Sequence, residues 1–239
     1  MKILAIGNSY SCDGTRYLCQ IAKSAGETVM VANLVIGGCP LRKHYVNALE
    51  NAKAYDLHFN GTNTGFRVSI KDALIAHDWD VVTLQQASHF SPKRETYSPY
   101  IEELAAYVRK YCPHTKIYIH ETWAYEDGCE RLKNIGEYTF ARDMLADVKK
   151  AYGSAAAAIH ADGIIPCGPA MLKATELGIQ KIHRDQFHAS FGAGRYLLAL
   201  TWYKTLTGKD ISQNSFDELD EPITEEERQI LINAVNSVV

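Results

Sequence analysis

Short apolar runs recur along the chain, each followed by a stretch of helical spacing, the pattern of parallel strands alternating with crossover helices. The first run, Lys2–Ile6, breaks at Gly7-Asn8-Ser9, and Tyr17, Leu18, Ile21 and Ala22 then follow as one face of a helix stopping near Gly26. A second strand is expected at Thr28–Ile36, ending in Gly37-Gly38-Cys39-Pro40, where two glycines and a proline mark a sharp turn. Further strands are expected at Asp80–Gln85, Lys116–His120 and Ala161–Ile165, the last terminated by Pro166-Cys167-Gly168-Pro169. Helices are expected at Pro99–Tyr111, at Glu137–Tyr152 and at Gly194–Leu206, with Gly208 as a C-terminal stop. This alternation predicts one doubly wound α/β domain over residues 1–239.

Two segments depart from it. Tyr55–Ile70 alternates around Asn60-Gly61 and Asn63-Thr64-Gly65, a hairpin signal inserted between the second and third strands, and is expected to act as a lid or substrate-facing flap. The tail from Asp217 to Val239 carries a capped helix start at Thr224 with Glu225-Glu226-Glu227, and a later apolar face of Ile230, Leu231, Ala234 and Val238.

Composition narrows the function classes. With 46% apolar and 22% charged residues in 239, the chain is neither disordered, collagen-like nor a coiled-coil array. The 25 basic and 28 acidic residues give a net charge of −3 without a basic stripe, which argues against nucleic acid as a partner. No run approaches the ~20 apolar residues of a membrane helix, so no membrane partner is expected. The Ile3–Ile6 run is shorter than the ~7–15 residues of a signal-peptide core, so the chain as written is expected to be cytoplasmic. The 6 cysteines are dispersed without a CxxC pair and are expected to be reduced thiols.

In an open parallel sheet, ligands bind beyond the carboxyl ends of the strands. Ser9, Gly37-Gly38 and Gln85-Gln86 fall on that edge, and Asp185-Gln186-Phe187-His188, just before the last helix, returns to it. A serine becomes a useful nucleophile when an imidazole accepts its proton and a carboxylate fixes the imidazole's tautomer. Taken alone, Ser9 reads as readily as the N-cap of the first helix. The histidines form no HExxH, and neither His114/His120 nor His183/His188 has a spacing that identifies a metal site. Without a GxxxxGK[ST] loop or a GxGxxG after the first strand, no metal and no cofactor is expected.

Gly7-Asn8-Ser9, Gly37-Gly38 and Asp185-x-x-His188 with Ala189-Ser190 and Gly194, in that order over residues 2 to 200, resemble the SGNH, or GDSL-like, hydrolase superfamily. The resemblance implies a three-layer flavodoxin-like sandwich around a central five-stranded parallel sheet. It implies Ser9 as nucleophile, His188 as general base and Asp185 as the residue orienting the imidazole. It further implies an oxyanion hole made by the amides of Ser9 and Gly38 and a side-chain amide from the third block. There the family's Gly-x-Asn-Asp is replaced by Gln85-Gln86-Ala87-Ser88-His89. The donor role is carried to Gln86, with Gln85 and His89 as competitors. Asn8, in place of the Asp of Gly-Asp-Ser, keeps a side chain able to hold the turn.

Asn8, Trp123 and His44 are the expected substrate-binding residues, and Tyr125 beside Trp123 is a further wall residue. The function implied is a serine esterase acting on short-acyl, acetyl-type esters of a small molecule or carbohydrate through an acyl-enzyme. The alternatives are a catalytically weak carbohydrate-binding module on the same fold, or an acyltransferase using the same triad.

Overall fold

The computed structural model describes residues 1–239. Strand β1 (Lys2–Gly7) runs into α1 (Ser9–Thr15) and α2 (Leu18–Ser24), and β2 (Met30–Val35) into α3 (Leu41–Leu49). The hairpin β3 (Tyr55–Phe59) and β4 (Thr62–Val68) leads through α4 (Ile70–Leu74) to β5 (Val81–Leu84) and α5 (Tyr100–Tyr111). After β6 (Lys116–Glu121) come α6 (Glu130–Gly136) and α7 (Ala141–Ala158). Strand β7 (Gly163–Pro166) is followed by α8 (Cys167–Glu176), α9 (Ala193–Thr207) and α10 (Glu225–Asn236).

The strands form one seven-stranded sheet in the order β4-β3-β2-β1-β5-β6-β7. All pairings from β2 across to β7 are parallel. Within β1 every residue after Lys2 is buried, and all of β5 is buried, so helices cover both sheet faces. On one side α9 packs against α1, α2, α8 and α10, and elsewhere α3, α4 and α5 pack together. Helix α9 is apolar nearly all round, with Leu197, Leu198, Leu200 and Trp202 fully buried, as befits a helix surrounded by others. The parallel strands reverse their order at β1 and β5, and the crevice at the carboxyl ends of those two strands is the topological switch point where such sheets bind ligands.

Several elements differ from their sequence reading. Asn60 (φ 48°) and Gly61 (φ 83°) form the expected tight turn, but β3 pairs antiparallel with β2, so the hairpin extends the sheet edge instead of closing over it as a lid. The sheet therefore has two antiparallel edge strands beside the five parallel ones. The first helix is split at Tyr17 into α1 and α2. Two breaks read as loops start helices: α3 begins directly after Pro40, and β7 passes straight into α8, whose first turn holds Pro169 without loss because its missing N–H would have no partner there. Gly208 (φ 68°) ends α9, and Thr224 with Glu227 forms a reciprocal capping box on α10. All six cysteines are unpaired, and no helix is long and apolar enough to cross a membrane.

Candidate active site

The turn after β1 is built around Asn8. It N-caps α1, its Oδ1 accepting from the Tyr10 amide at 3.0 Å and from Gln85 Nε2 at 2.8 Å, while its Nδ2 donates to the Cys39 carbonyl at 3.2 Å. One buried side chain thereby ties together the loops leaving β1, β2 and β5. Gln85 is held in turn by His120, whose Nδ1–H donates to Gln85 Oε1 at 2.8 Å. Burial drives the His120 pKa down to about 3, so the ring is a neutral structural donor. Gly7 must lack a side chain, because a Cβ there would stand 2.7 Å from Gln85 Oε1.

Ser9 opens α1, so its amide has no intrahelical acceptor. Its Oγ donates to His188 Nε2 at 2.9 Å, and His188 Nδ1–H donates to Asp185 Oδ2 at 2.7 Å. Asp185 Oδ1 accepts the His188 amide at 2.8 Å and the Phe187 amide at 3.4 Å, which closes the loop on itself. Partial burial would raise the Asp185 pKa, but the hydrogen bonds from the His188 ring and amide outweigh it and hold the carboxyl below its ordinary value. The imidazole lies against Phe187 on one side (centroids 4.0 Å apart) and against Tyr10 (5.7 Å).

An ionic brace stands behind this pair of loops. Asp13, fully buried in α1, accepts from Arg184 Nη1 at 2.9 and 3.0 Å and from Arg195 Nε at 2.9 Å. Arg184 immediately precedes the Asp185 loop and also donates to the Ala189 carbonyl, while Arg195 lies in α9. Arg195 and Arg16 then share Asp220, whose carboxyl pKa falls to about 2, chiefly through its hydrogen bond from Arg16. The serine helix, the histidine loop and α9 are thus pinned to one carboxylate.

Ser9 and His188 open into a cavity of about 400 Å³, also bordered by Gly37, Gly38, Ser88, His89, Tyr125 and Arg131. A separate cavity of about 260 Å³ lies across Tyr125, among Leu145, Met171 and Ile182, and contains neither Ser9 nor His188. Gly38 borders the cavity that holds Ser9, its amide donates no hydrogen bond to the backbone, and its φ of +61° is one that L side chains rarely adopt.

Three expected site residues are placed elsewhere. Gln86 is buried with its amide committed on both ends: Nε2 donates to the carbonyl and hydroxyl of Thr96, each at 3.1 Å, and Oε1 accepts from Leu41 and Ala87 amides. It holds α3 against the segment after β5 and leaves no donor for the cavity. His44 faces the core, hydrogen bonded to the Tyr55 hydroxyl at 2.9 Å and driven to a pKa of about 3 by burial. Trp123 is fully buried behind the cavity, stacked on Tyr10 at 4.1 Å and donating to the Phe187 carbonyl at 2.8 Å. Asn8 touches the cavity, although the side-chain bonds described above go to the protein.

Tyr125 does line the cavity, its hydroxyl bonded to Ser88 Oγ at 3.0 Å. Of the competitors for the third oxyanion donor, His89 borders the cavity, and Gln85 is bound to Asn8 and His120. Burial, followed by the nearby Lys93 charge, lowers the His89 pKa, so the ring favours its neutral form. Sequence reasoning missed Tyr10, Ser88, Phe187 and Arg131. Tyr10 directly follows the serine motif and Phe187 lies within the histidine motif, and that adjacency was the available signal.

Solved structures of low identity share the overall fold. A member of the lipolytic G-D-S-L family from Veillonella parvula superposes with a TM-score of 0.54 at 13% identity, covering 87% of this chain and 98% of that one. A candidate GDSL-like lipase from Parabacteroides merdae gives 0.55 at 17% identity, covering 87% and 95%. The fold is thus the α/β fold of SGNH, or GDSL-like, hydrolases. A DUF4886 family protein from Bacteroides uniformis is far nearer, with a TM-score of 0.91 at 31% identity over 99% of this chain and 93% of that one. The profile of the family described as a domain of unknown function, DUF4886, matches residues 2–237, and the chain belongs to that family. No curated protein matches it.

Proposed function

We propose that the chain is a serine esterase. The observation that carries this reading is the unbroken line of hydrogen bonds from Ser9 Oγ through His188 to Asp185, at 2.9 and 2.7 Å, opening into a cavity at the sheet's switch point. Ser9 Oγ attacks the ester carbonyl carbon as His188 Nε2 takes its proton. The resulting oxyanion is met by the amides of Ser9 and Gly38, with His89 as the side-chain donor at the rim. Collapse breaks the bond to the leaving oxygen, which receives the proton from His188. Water then loses a proton to the same nitrogen and adds to the acyl-enzyme; collapse breaks the acyl bond to Ser9 Oγ, which takes the proton back from His188, and the acid leaves. Asp185, kept ionised by its hydrogen bonds, supports the imidazolium at each stage.

The substrate proposed is a short-acyl ester, acetyl above all, of a small polar molecule or a carbohydrate. The cavity of about 400 Å³ is bordered by no aliphatic side chain and fits a compact ester better than a long acyl chain. The purified protein is expected to hydrolyse an activated acetyl ester, and Ser9→Ala to abolish turnover; a Ser9→Ala variant with full turnover would overturn the proposal.

One observation favours a second reading. Because Gln86 is tied to Thr96 and α3, the oxyanion hole lacks the side-chain amide of the family pattern, as it would in a module that captures esters without cleaving them. Ester binding to the wild-type chain without any turnover is the outcome that separates this reading from the first.

A further inference from the structure

Arg131 borders the same cavity as Ser9 and His188 and has no part in the proposed chemistry. Its guanidinium lies over the Phe187 ring, 4.2 Å from the centroid, and Phe187 in turn packs on the His188 imidazole at 4.0 Å. Unlike Arg16, Arg184, Arg195 and Arg228, it has no carboxylate partner. Among the 11 residues bordering the cavity it is the one permanently charged side chain, and no acidic residue faces in. In a chain of net charge −3, this guanidinium puts a cation without a carboxylate partner on the border of the cavity that holds Ser9.

Resting on the esterase reading above, we infer that the cavity takes an ester bearing a carboxylate, with Arg131 as the group that recognises it. The Phe187 ring supports the exposed guanidinium, whose N–H groups make no hydrogen bond within the protein and can therefore meet a carboxylate through paired hydrogen bonds. The Tyr125 hydroxyl borders the same cavity and can add a donor when Ser88 Oγ donates in the 3.0 Å bond between them. One fixed positive charge matches a monoanion; a phosphate dianion would call for a second cation, and no lysine borders the cavity. Charge-assisted hydrogen bonds of this kind correspond to about ten- to hundredfold in affinity.

The test compares phenyl acetate with 4-acetoxybenzoate, which differ by the carboxylate. The wild-type chain is expected to favour the charged ester by about tenfold or more in kcat/KM, expressed in KM. Arg131→Gln is expected to bring the ratio of the two substrates to about one, and Arg131→Lys, which keeps the charge without the planar fork, to retain part of it. A wild-type ratio near one, or a ratio unchanged in Arg131→Gln, overturns the inference while leaving the esterase reading standing. If neither ester is turned over, the esterase reading fails, and calorimetric binding of 4-hydroxybenzoate decides the anion site. Affinity about tenfold weaker in Arg131→Gln supports it, and equal or undetectable binding overturns it.

Discussion

Asp13→Asn tests the ionic brace that joins the serine helix to the histidine loop. The substitution keeps the shape of the side chain but replaces one carboxylate oxygen by an N–H₂ facing the donors of Arg184 and Arg195, which approach Asp13 at 2.9 to 3.0 Å. Removing one partner of a buried ion pair costs about 3–5 kcal/mol, because the remaining charge is left uncompensated. Here Arg195 keeps Asp220 as a partner and the arginine side chains keep 20% and 15% exposure, so part of that loss is recovered and about 2–4 kcal/mol is expected. For a chain of this size that corresponds to a fall in Tm of about 4–16 °C. Arg184 adjoins Asp185, so the loop carrying His188 should also lose its register with Ser9, and kcat should drop about tenfold or more. Thermal melting followed by circular dichroism, together with ester turnover at a temperature where the variant is folded, reads both effects. A melt within 1 °C of wild type and a kcat within about twofold would refute the view that this carboxylate organises the site.

Two further predictions follow from buried and rim groups. Glu121 is buried with Oε1 unpaired, and burial, outweighing the Lys149 charge, raises its pKa to about 7. Its folded pKa exceeds its unfolded one, so it costs nothing at pH 4 and its penalty grows as pH rises through 4.5 toward 7; Glu121→Gln should therefore stabilise the fold by about 2–3 kcal/mol at pH 8 and hardly at pH 4, as urea titrations at the two pH values would reveal. A pH-independent difference would contradict that assignment. His89→Ala should lower kcat by about a hundredfold with little change in KM if the ring completes the oxyanion hole, and steady-state kinetics with an acetyl ester would show otherwise if kcat stays within about twofold.

The chain order of the motifs was readable because each of the hydrogen-bonded side chains sits in a short stretch with its own signal: Ser9 directly after an apolar strand, and Asp185 and His188 close enough to bond within one loop. The glutamines illustrate what was not. Gln85 and Gln86 are adjacent at the end of β5, yet one turns toward Asn8 and His120 and the other toward Thr96 and α3. Which neighbour faces the cavity depends on the pleat of the strand and on packing from distant segments. Pro40 and Pro169 concealed the starts of α3 and α8, because proline that breaks a helix interior is welcome at or before its first turn. The turn at Asn60-Gly61 was local information, whereas the pairing of β3 with the edge of β2 was not. Trp123 and His44, read as substrate-binding residues from their chain positions, are core residues: the Trp123 ring N–H donates to the Phe187 carbonyl, and His44 Nδ1 is hydrogen bonded to the Tyr55 hydroxyl.

The central claim is that His188 makes the Ser9 hydroxyl a nucleophile. Reaction with a fluorophosphonate, followed by peptide mapping in a mass spectrometer, tests it most directly. Stoichiometric modification at Ser9 that is lost in His188→Ala is the predicted result. An unmodified Ser9 in the folded wild-type chain, or labelling that persists undiminished without the imidazole, would contradict it.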